Sequence, residues 1–410
     1  MSGPEERSLT IVHGSLAVGG IEQLLVRFAE ELHGRGWRVQ FVLQSAVDNA
    51  LHRRAASLGP VYRLPVDYRL AWPLLHRYAI RPTAHLFGPT SNGLLLSHLL
   101  RQQPRFRQAR ITAGVYFPLE YGNRAVHDLH EIGLAVRLIQ AAPDQNMLFM
   151  NDACRDATAN ALDRSFAEAH LVPVPVVIPL SSAPRPRPVG QRLVSVGRLV
   201  QFKGYTFGAL SALRALADEG RRFHYDVYGD GPMRPALESA VVAAGLEEQV
   251  TLHGEVPPEH FADVCGDALA FLGMGTAAVE AAALGVPTLL ASVGESGPHV
   301  HGWFSEARGF DVGESPAAGP LAPMTDLLRH LDDAGPAVYG DLSVAGRARA
   351  ERFALPTAAQ SFEDALLAAR PHEGRLRFRD LLSGLRSGLI DLRSGAGSQR
   401  ARRAARYERD

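Results

Sequence analysis

The chain has 410 residues, of which 46% are hydrophobic and 21% charged, and its formal net charge is zero. That composition excludes a disordered chain and a global field that would draw nucleic acid to the whole molecule. The length suits two domains of ordinary size. Two cysteines, Cys154 and Cys265, stand far apart and outside any metal-ligand spacing, which fits a reducing compartment. The opening MSGPEERSLTIVHG is acidic ahead of its apolar run, unlike a secretory leader. No apolar run approaches the ~18 residues needed to span a bilayer. The expectation is a soluble cytoplasmic protein.

In chain order, LTIVH at 9–13 reads as a strand and GSLAVGG, ending in Gly19 and Gly20, as a glycine-bearing loop. A helix follows with Ile21, Leu24, Leu25, Phe28 and Leu32 on one stripe. It stops at Gly34 and Gly36, and RVQFVL starts a second strand. That is a βαβ unit with parallel strands. ITAGVY and MLFM continue the alternation to about residue 180. The proline-rich SSAPRPRPVG at 181–190 reads as a stiff, extended linker. After it the pattern restarts: RLVSV, FHYDVYG, VTLHG, ALAFL and VPTLLA are short strands separated by helices, the first of them at 204–216. The expected class is α/β, two doubly wound Rossmann-like domains at 1–183 and 189–365, the last helix free to pack back on the first domain. Such sheets bind ligands outside the carboxyl ends of their strands, so the cleft between the domains is the natural site.

The chemistry gathers in the loops after the second domain's strands. The 43 Lys and Arg residues include a single lysine, Lys203, in VGRLVQFKG. Arg198 and Lys203 lie between a strand end and a helix start. Two cations with a helix N-terminus form an anion site, above all for phosphate; two surface charges without a common target are the plain alternative. YGDGP at 228–232 allows a tight turn near a ligand and serves equally as a structural turn. In FLGMGTAAVEAAALGVP, Gly273 and Gly275 precede a helix starting at about Thr276, whose first N–H groups can face an anion. Glu280 sits one turn in, on a helix of alanine and valine. It is either simply exposed or held by a pair of ribose hydroxyls.

VGRLVQFKG, YGDGPMRPALE and GMGTAAVEAAALGVP, in that order and spacing, resemble the second domain of the family 4 retaining glycosyltransferases, group 1 enzymes of GT-B fold. HGSLAVGGIEQLLVRFAEELHGRGWRV is similar to the opening of that family's first domain. The resemblance covers roughly residues 9–365. It implies a hexosyltransferase that moves a sugar, with retention, from a nucleotide-sugar (UDP- or GDP-linked) to a glycan or lipid-linked acceptor in cell-surface polysaccharide or glycoconjugate synthesis. By the same resemblance Arg198 and Lys203 grip the diphosphate and Glu280 holds the ribose. Gly273, Gly275 and Thr276 line the diphosphate and sugar through backbone groups, and Gly19 and Gly20 bring the first-domain loop to the donor. The HGEVP segment flanks the base. The chain has no Asp-x-Asp, so no cofactor or metal is expected, and the leaving diphosphate is left to fixed cations.

Two positions depart from the family. The acid expected eight residues before the ribose glutamate is Leu272, and the first-domain histidine near the reacting centre is replaced by Tyr116 and Phe117. His85 and Tyr116 are the acceptor-side candidates, His85 with the competing reading of a core or surface residue. These departures keep open a nucleotide-sugar-binding protein without turnover, and a nucleotide-sugar epimerase of the same architecture. Residues 371–410 carry ten arginines against five acids. Phe378, Leu385 and Leu392 recur every seven residues, joined by Leu381, Leu382 and Leu389, beside Arg379, Arg386 and Arg393, a basic amphipathic pattern. It suggests peripheral contact with the inner membrane face through 375–393, or packing on the protein's own surface, or a disordered tail. Nucleic acid is not an expected partner.

Overall fold

A computed structural model describes residues 6–17, 19–64, 75, 78–179, 185–314, 320–372 and 374–384. It divides into two units, Met1–Pro175 with Leu355–Asp410, and Val176–Ala354.

In the first unit β1 (Ser8–His13), β2 (Arg38–Leu43), β3 (Val61–Arg63), β4 (His85–Gly88), β5 (Arg110–Val115), β6 (Met147–Phe149) and β7 (His170–Leu171) form one sheet. Its order is β3-β2-β1-β4-β5-β6-β7, parallel throughout. The winding reverses between β1 and β4, which opens a crevice at the strands' carboxyl ends. Every residue of β1 is buried, as a central strand covered on both faces requires. Helix α1 (Gly20–Gly34) buries Leu24, Leu25, Phe28 and Leu32 of the predicted stripe, leaves Ile21 part-exposed, and also buries Val26 and Ala29. The helix Leu355–Ala368 packs against α1, its Phe362 stacking on Phe28 at 4.6 Å between ring centroids.

The second unit repeats the plan with β8 (Arg192–Val196), β9 (His224–Tyr228), β10 (Val250–Gly254), β11 (Ala270–Gly273), β12 (Thr288–Leu290) and β13 (Gly302–Trp303). The order is β10-β9-β8-β11-β12-β13, with only β13 antiparallel. Leu213, Phe223, Tyr225, Leu272 and Leu289 are part of one core packed under helix α2 (Tyr205–Asp218).

The unit boundary falls at Pro175, ahead of the proline-rich stretch. Val176 donates its N–H to Phe353 O at 2.8 Å, and so joins the second unit. Residues 181–184 of the expected linker lie outside the described residues. The rest is docked and not a free spacer: Arg185 Nη2 donates to Cys265 O at 2.9 Å and Arg187 Nη2 to Asp332 O at 3.1 Å. Where the tail begins, Leu376 and Leu381 are buried and Asp380 is ion-paired with Arg137 on the first unit, whereas Phe378 and Leu382 are exposed. The apolar stripe is thus divided, with one side packed on the protein itself. Leu385, Arg386, Leu389, Leu392 and Arg393 lie outside the described residues. Among the described residues no helix is long and apolar enough to cross a membrane.

Candidate active site

The second unit's loops meet at the carboxyl ends of β8, β9 and β11. After β8, Gly197 donates to Tyr228 O at 2.9 Å and Leu199 to Asp230 O at 2.9 Å, which lays this loop directly on YGDGP. Gly229 and Gly231 have φ of +141° and +153°, and a Cβ on either would collide with the carbonyl oxygen of Gly197 or Leu199. Their absent side chains therefore serve loop-on-loop packing, which settles the ambiguity of that turn in favour of structure.

Lys203 ends a short 3-10 turn, Gln201–Lys203, and is partly enclosed, while Arg198 is exposed. The Lys203 ammonium lies 3.4 Å from the point where a Cβ on Gly197 would sit, with the Tyr205 hydroxyl 3.5 Å from the same point. Enclosure lowers the Lys203 pKa, Glu314 opposes that, and Arg198 adds to the lowering. Arg198 and Lys203 therefore feel each other's charge and share one neighbourhood.

Helix α3 (Thr276–Ala283) starts beside them on the adjacent strand. Gly273 is buried in β11, its carbonyl taken by Ala291 N at 2.8 Å, and its missing side chain makes room for the Phe271 ring. Gly275 has φ +68°, and its N–H is spent on Val312 O at 2.6 Å. Both glycines shape the turn, and the Gly275 N–H, already on Val312 O, is not left for an anion. The N–H groups that helix geometry leaves without an intrahelical partner begin at Thr276. Glu280 is part-exposed on the second turn of α3.

Leu272 is fully buried in the core, so β11 contributes no carboxylate at that point. A residue that sequence reasoning missed supplies one nearby. Glu314 places Oε1 3.9 Å from the position of a Cβ on Gly275, while its Oε2 is enclosed without a hydrogen-bond partner. Burial pushes its carboxyl up to about 7, against the pull of Lys203. No motif marks it, since it stands in a loop with neither periodicity nor a neighbouring signal. The loop is nonetheless built. Arg349 Nη2 donates to Arg308 O, Gly309 O and Asp311 O at 3.3, 3.2 and 3.2 Å, and its guanidinium lies over the Phe304 ring. Gly313, at φ +88°, abuts the Ala291 carbonyl.

In the first unit Gly19 is the N-cap of α1 and leaves room for the Glu22 carboxylate; Gly20 is exposed at the first helical position. Glu22 Oε1 lies 3.4 Å from Nε2 of His13, at the carboxyl end of β1, a pair not singled out from the sequence. His85 is a correction. It opens β4 at the end opposite the crevice, is fully buried, and faces Glu6 O from Nε2 at 3.2 Å. Burial first, then Arg110, pulls its pKa down to about 4. It is a neutral core histidine and not an acceptor-side group. Tyr116 does follow the carboxyl end of β5, but it is 5% exposed, with a buried hydroxyl that burial makes harder to ionise.

Residues 190–310 match the family described as glycosyl transferases group 1, and over most of the chain the backbone follows solved structures. HepE of Anabaena, solved with UDP and glucose, gives a TM-score of 0.62 at 14% identity, covering 88% of this chain and 99% of that one. The lipopolysaccharide outer core galactosyltransferase WaaB gives 0.59 at 15%, covering 87% and 98%. The fold is GT-B, and the second unit carries the group 1 glycosyltransferase match. By sequence this GT-B chain is 33% identical over 171 residues to the 2-deoxystreptamine glucosyltransferase of Streptomyces kanamyceticus, which is 40% of this chain and 39% of that protein. It is 32% identical over 110 residues to the amylovoran biosynthesis glycosyltransferase AmsK of Erwinia amylovora, 24% and 27% of the two. The matches thus span well under half the length of these curated relatives.

Proposed function

We propose that this chain is a retaining, metal-independent glycosyltransferase. It moves a hexose from a nucleotide-sugar, UDP- or GDP-linked, to a glycan or lipid-linked acceptor in polysaccharide or glycoconjugate synthesis. One observation carries the reading: Lys203 and Arg198 share a strand-end loop beside the start of α3, within the segment that matches group 1 glycosyltransferases. Breaking the sugar–phosphate bond leaves about one further negative charge on the diphosphate. These two cations and the first N–H groups of α3 meet that charge as it develops, and each such donor contributes about 3–4 kcal/mol in comparable sites. Arg198 and Lys203 are the charge-stabilising groups, and Glu280 accepts from the ribose. The UDP in the HepE structure and the biosynthetic roles in the relatives' names support the donor and pathway class.

Calorimetric titration of UDP, GDP and ADP into the parent and into Lys203→Ala tests this. The variant should bind the preferred nucleotide about 100-fold more weakly, as loss of a charge-assisted contact predicts. Equal affinity for all three nucleotides in both proteins overturns the assignment. Nucleotide binding with no nucleotide release from any donor would leave a sugar-nucleotide-binding protein without turnover.

A further inference from the structure

We infer that Glu314 is the group that receives the donor sugar's hydroxyls, in the place of the acid that β11 lacks; this rests on the proposed nucleotide-sugar site. Leu272 cannot serve, since its side chain lies wholly in the core. Glu314 reaches the same turn from the opposite loop. The N–H of Gly275 on Val312 O ties the two loops together, and Glu314 follows two residues later with Oε1 beside the bare face of Gly275.

Its carboxyl has the properties of a receptor and not of a surface charge. Oε2 is enclosed with no hydrogen-bond partner, a state that costs free energy until a donor arrives. The other acid of the loop, Asp311, is already engaged, its Oδ1 accepting from Gly313 N at 2.9 Å. Val293 donates to Gly313 O and Gly294 to Phe202 O, each at 2.9 Å, which brings the loops of Glu314 and Lys203 onto one segment, and Lys203 acts on the carboxyl electrostatically. A sugar bonded to that diphosphate comes within reach of this carboxyl. A ligand that ends at the phosphate gains nothing from it, and is repelled whenever the carboxyl is ionised.

The two arrangements separate in one ratio, the affinity for a nucleotide-sugar divided by that for its bare nucleotide. The pairs UDP-glucose/UDP, GDP-mannose/GDP and ADP-glucose/ADP are titrated into the parent, Glu314→Ala and Glu314→Gln, and the pair the parent binds best is taken. Glu314→Ala should lower the ratio about ten-fold or more, the loss of one or two hydrogen bonds to a charged group, while bare nucleotide binds as well or better. Glu314→Gln, which keeps shape and polar atoms, should fall less. Deoxygenating the hydroxyl concerned, tested with 3-, 4- and 6-deoxy forms of the sugar, should weaken the parent and leave Glu314→Ala unchanged. An unaltered ratio in Glu314→Ala means that the carboxyl is only a counter-charge to Lys203, and overturns the inference. No nucleotide binding by the folded parent overturns the site itself, an outcome distinct from the first.

Discussion

Trp37 donates its indole N–H to Oε1 of Glu363 at 2.8 Å, across 326 residues of sequence. Glu363 is 5% exposed and accepts from Arg35 Nη1 at 3.0 Å through its other oxygen. These bonds pin the helix Leu355–Ala368 to the turn between α1 and β2, in the same helix that carries the Phe28–Phe362 stack. Burial by itself would raise the Glu363 pKa, and the bonds from Trp37 and Arg35 outweigh it, so the net shift is downward. A carboxyl lowered in the folded state contributes stability above its unfolded value of about 4.3, and that contribution is lost as the pH falls further. Glu363→Ala should therefore cost about 2 kcal/mol at pH 7 and less near pH 3. Urea midpoints at the two pH values measure this, and an equal cost at both would show that the charge is not involved.

His85 titrates with the opposite consequence. Its folded pKa of about 4 lies below the ordinary value, so between pH 6.5 and 4 the unfolded chain takes up a proton that the folded one refuses. Stability should fall across that window by roughly 3 kcal/mol from this residue alone. His85→Leu should flatten that limb of the stability–pH curve, without changing nucleotide affinity. An unchanged limb would mean that the imidazole is accessible after all.

Gly229 and Gly231 should not tolerate a side chain. Each has a φ that L-residues avoid, and each faces a carbonyl of the loop carrying Arg198. Gly229→Ala and Gly231→Ala should lose about 2 kcal/mol or more. They should also weaken nucleotide binding more than Gly220→Ala, a positive-φ glycine with open space around it. Equal effects at all three positions would reduce the argument to backbone strain.

Lys203→Arg should not restore nucleotide binding lost in Lys203→Ala. The ammonium sits beside Gly197 and the Tyr205 hydroxyl, a space suited to a thin stem and a compact head; a planar fork needs more room. Titration of UDP or GDP decides it, and parental affinity in Lys203→Arg would mean that the single lysine of the chain carries no specific requirement.

Arg349 should matter to the site although it lies under the loop. Removing its three bonds to the 308–311 carbonyls by Arg349→Met frees the segment that presents Glu314. We expect a loss of nucleotide-sugar affinity with bare-nucleotide affinity little changed, together with faster amide exchange at 308–314. If exchange there is unaltered, the clamp is not what holds the loop.

Much of this was legible because local physics repeats. Apolar runs the length of a buried strand, a 3.6-residue stripe in α1 and glycines at the strand ends require no knowledge of what lies opposite. They led to two doubly wound units and to Arg198, Lys203, Thr276 and Glu280 on one strand-end region. The errors came where a residue's environment is set by chain far away. His85 stood as an acceptor-side candidate beside the reading of a core or surface residue, yet the strand begins at it and buries it. Gly275 looked like bare backbone offered to a ligand, yet Val312 had claimed its N–H.

Sequence by itself determined the periodicities, the order of the strand-end motifs and the single lysine, because each is a relation between near neighbours along the chain. Only the tertiary structure decided which acid stands by the Gly275 turn, where the last helix packs and how the tail begins. Glu314 is 34 residues from Glu280 and unrelated to it by any pattern; what brings it to the site is the Gly275–Val312 hydrogen bond and the Arg349 clamp under its loop. Burial and hydrogen-bond competition are properties of the folded surroundings, and these, more than residue type, govern which polar atoms remain for a ligand.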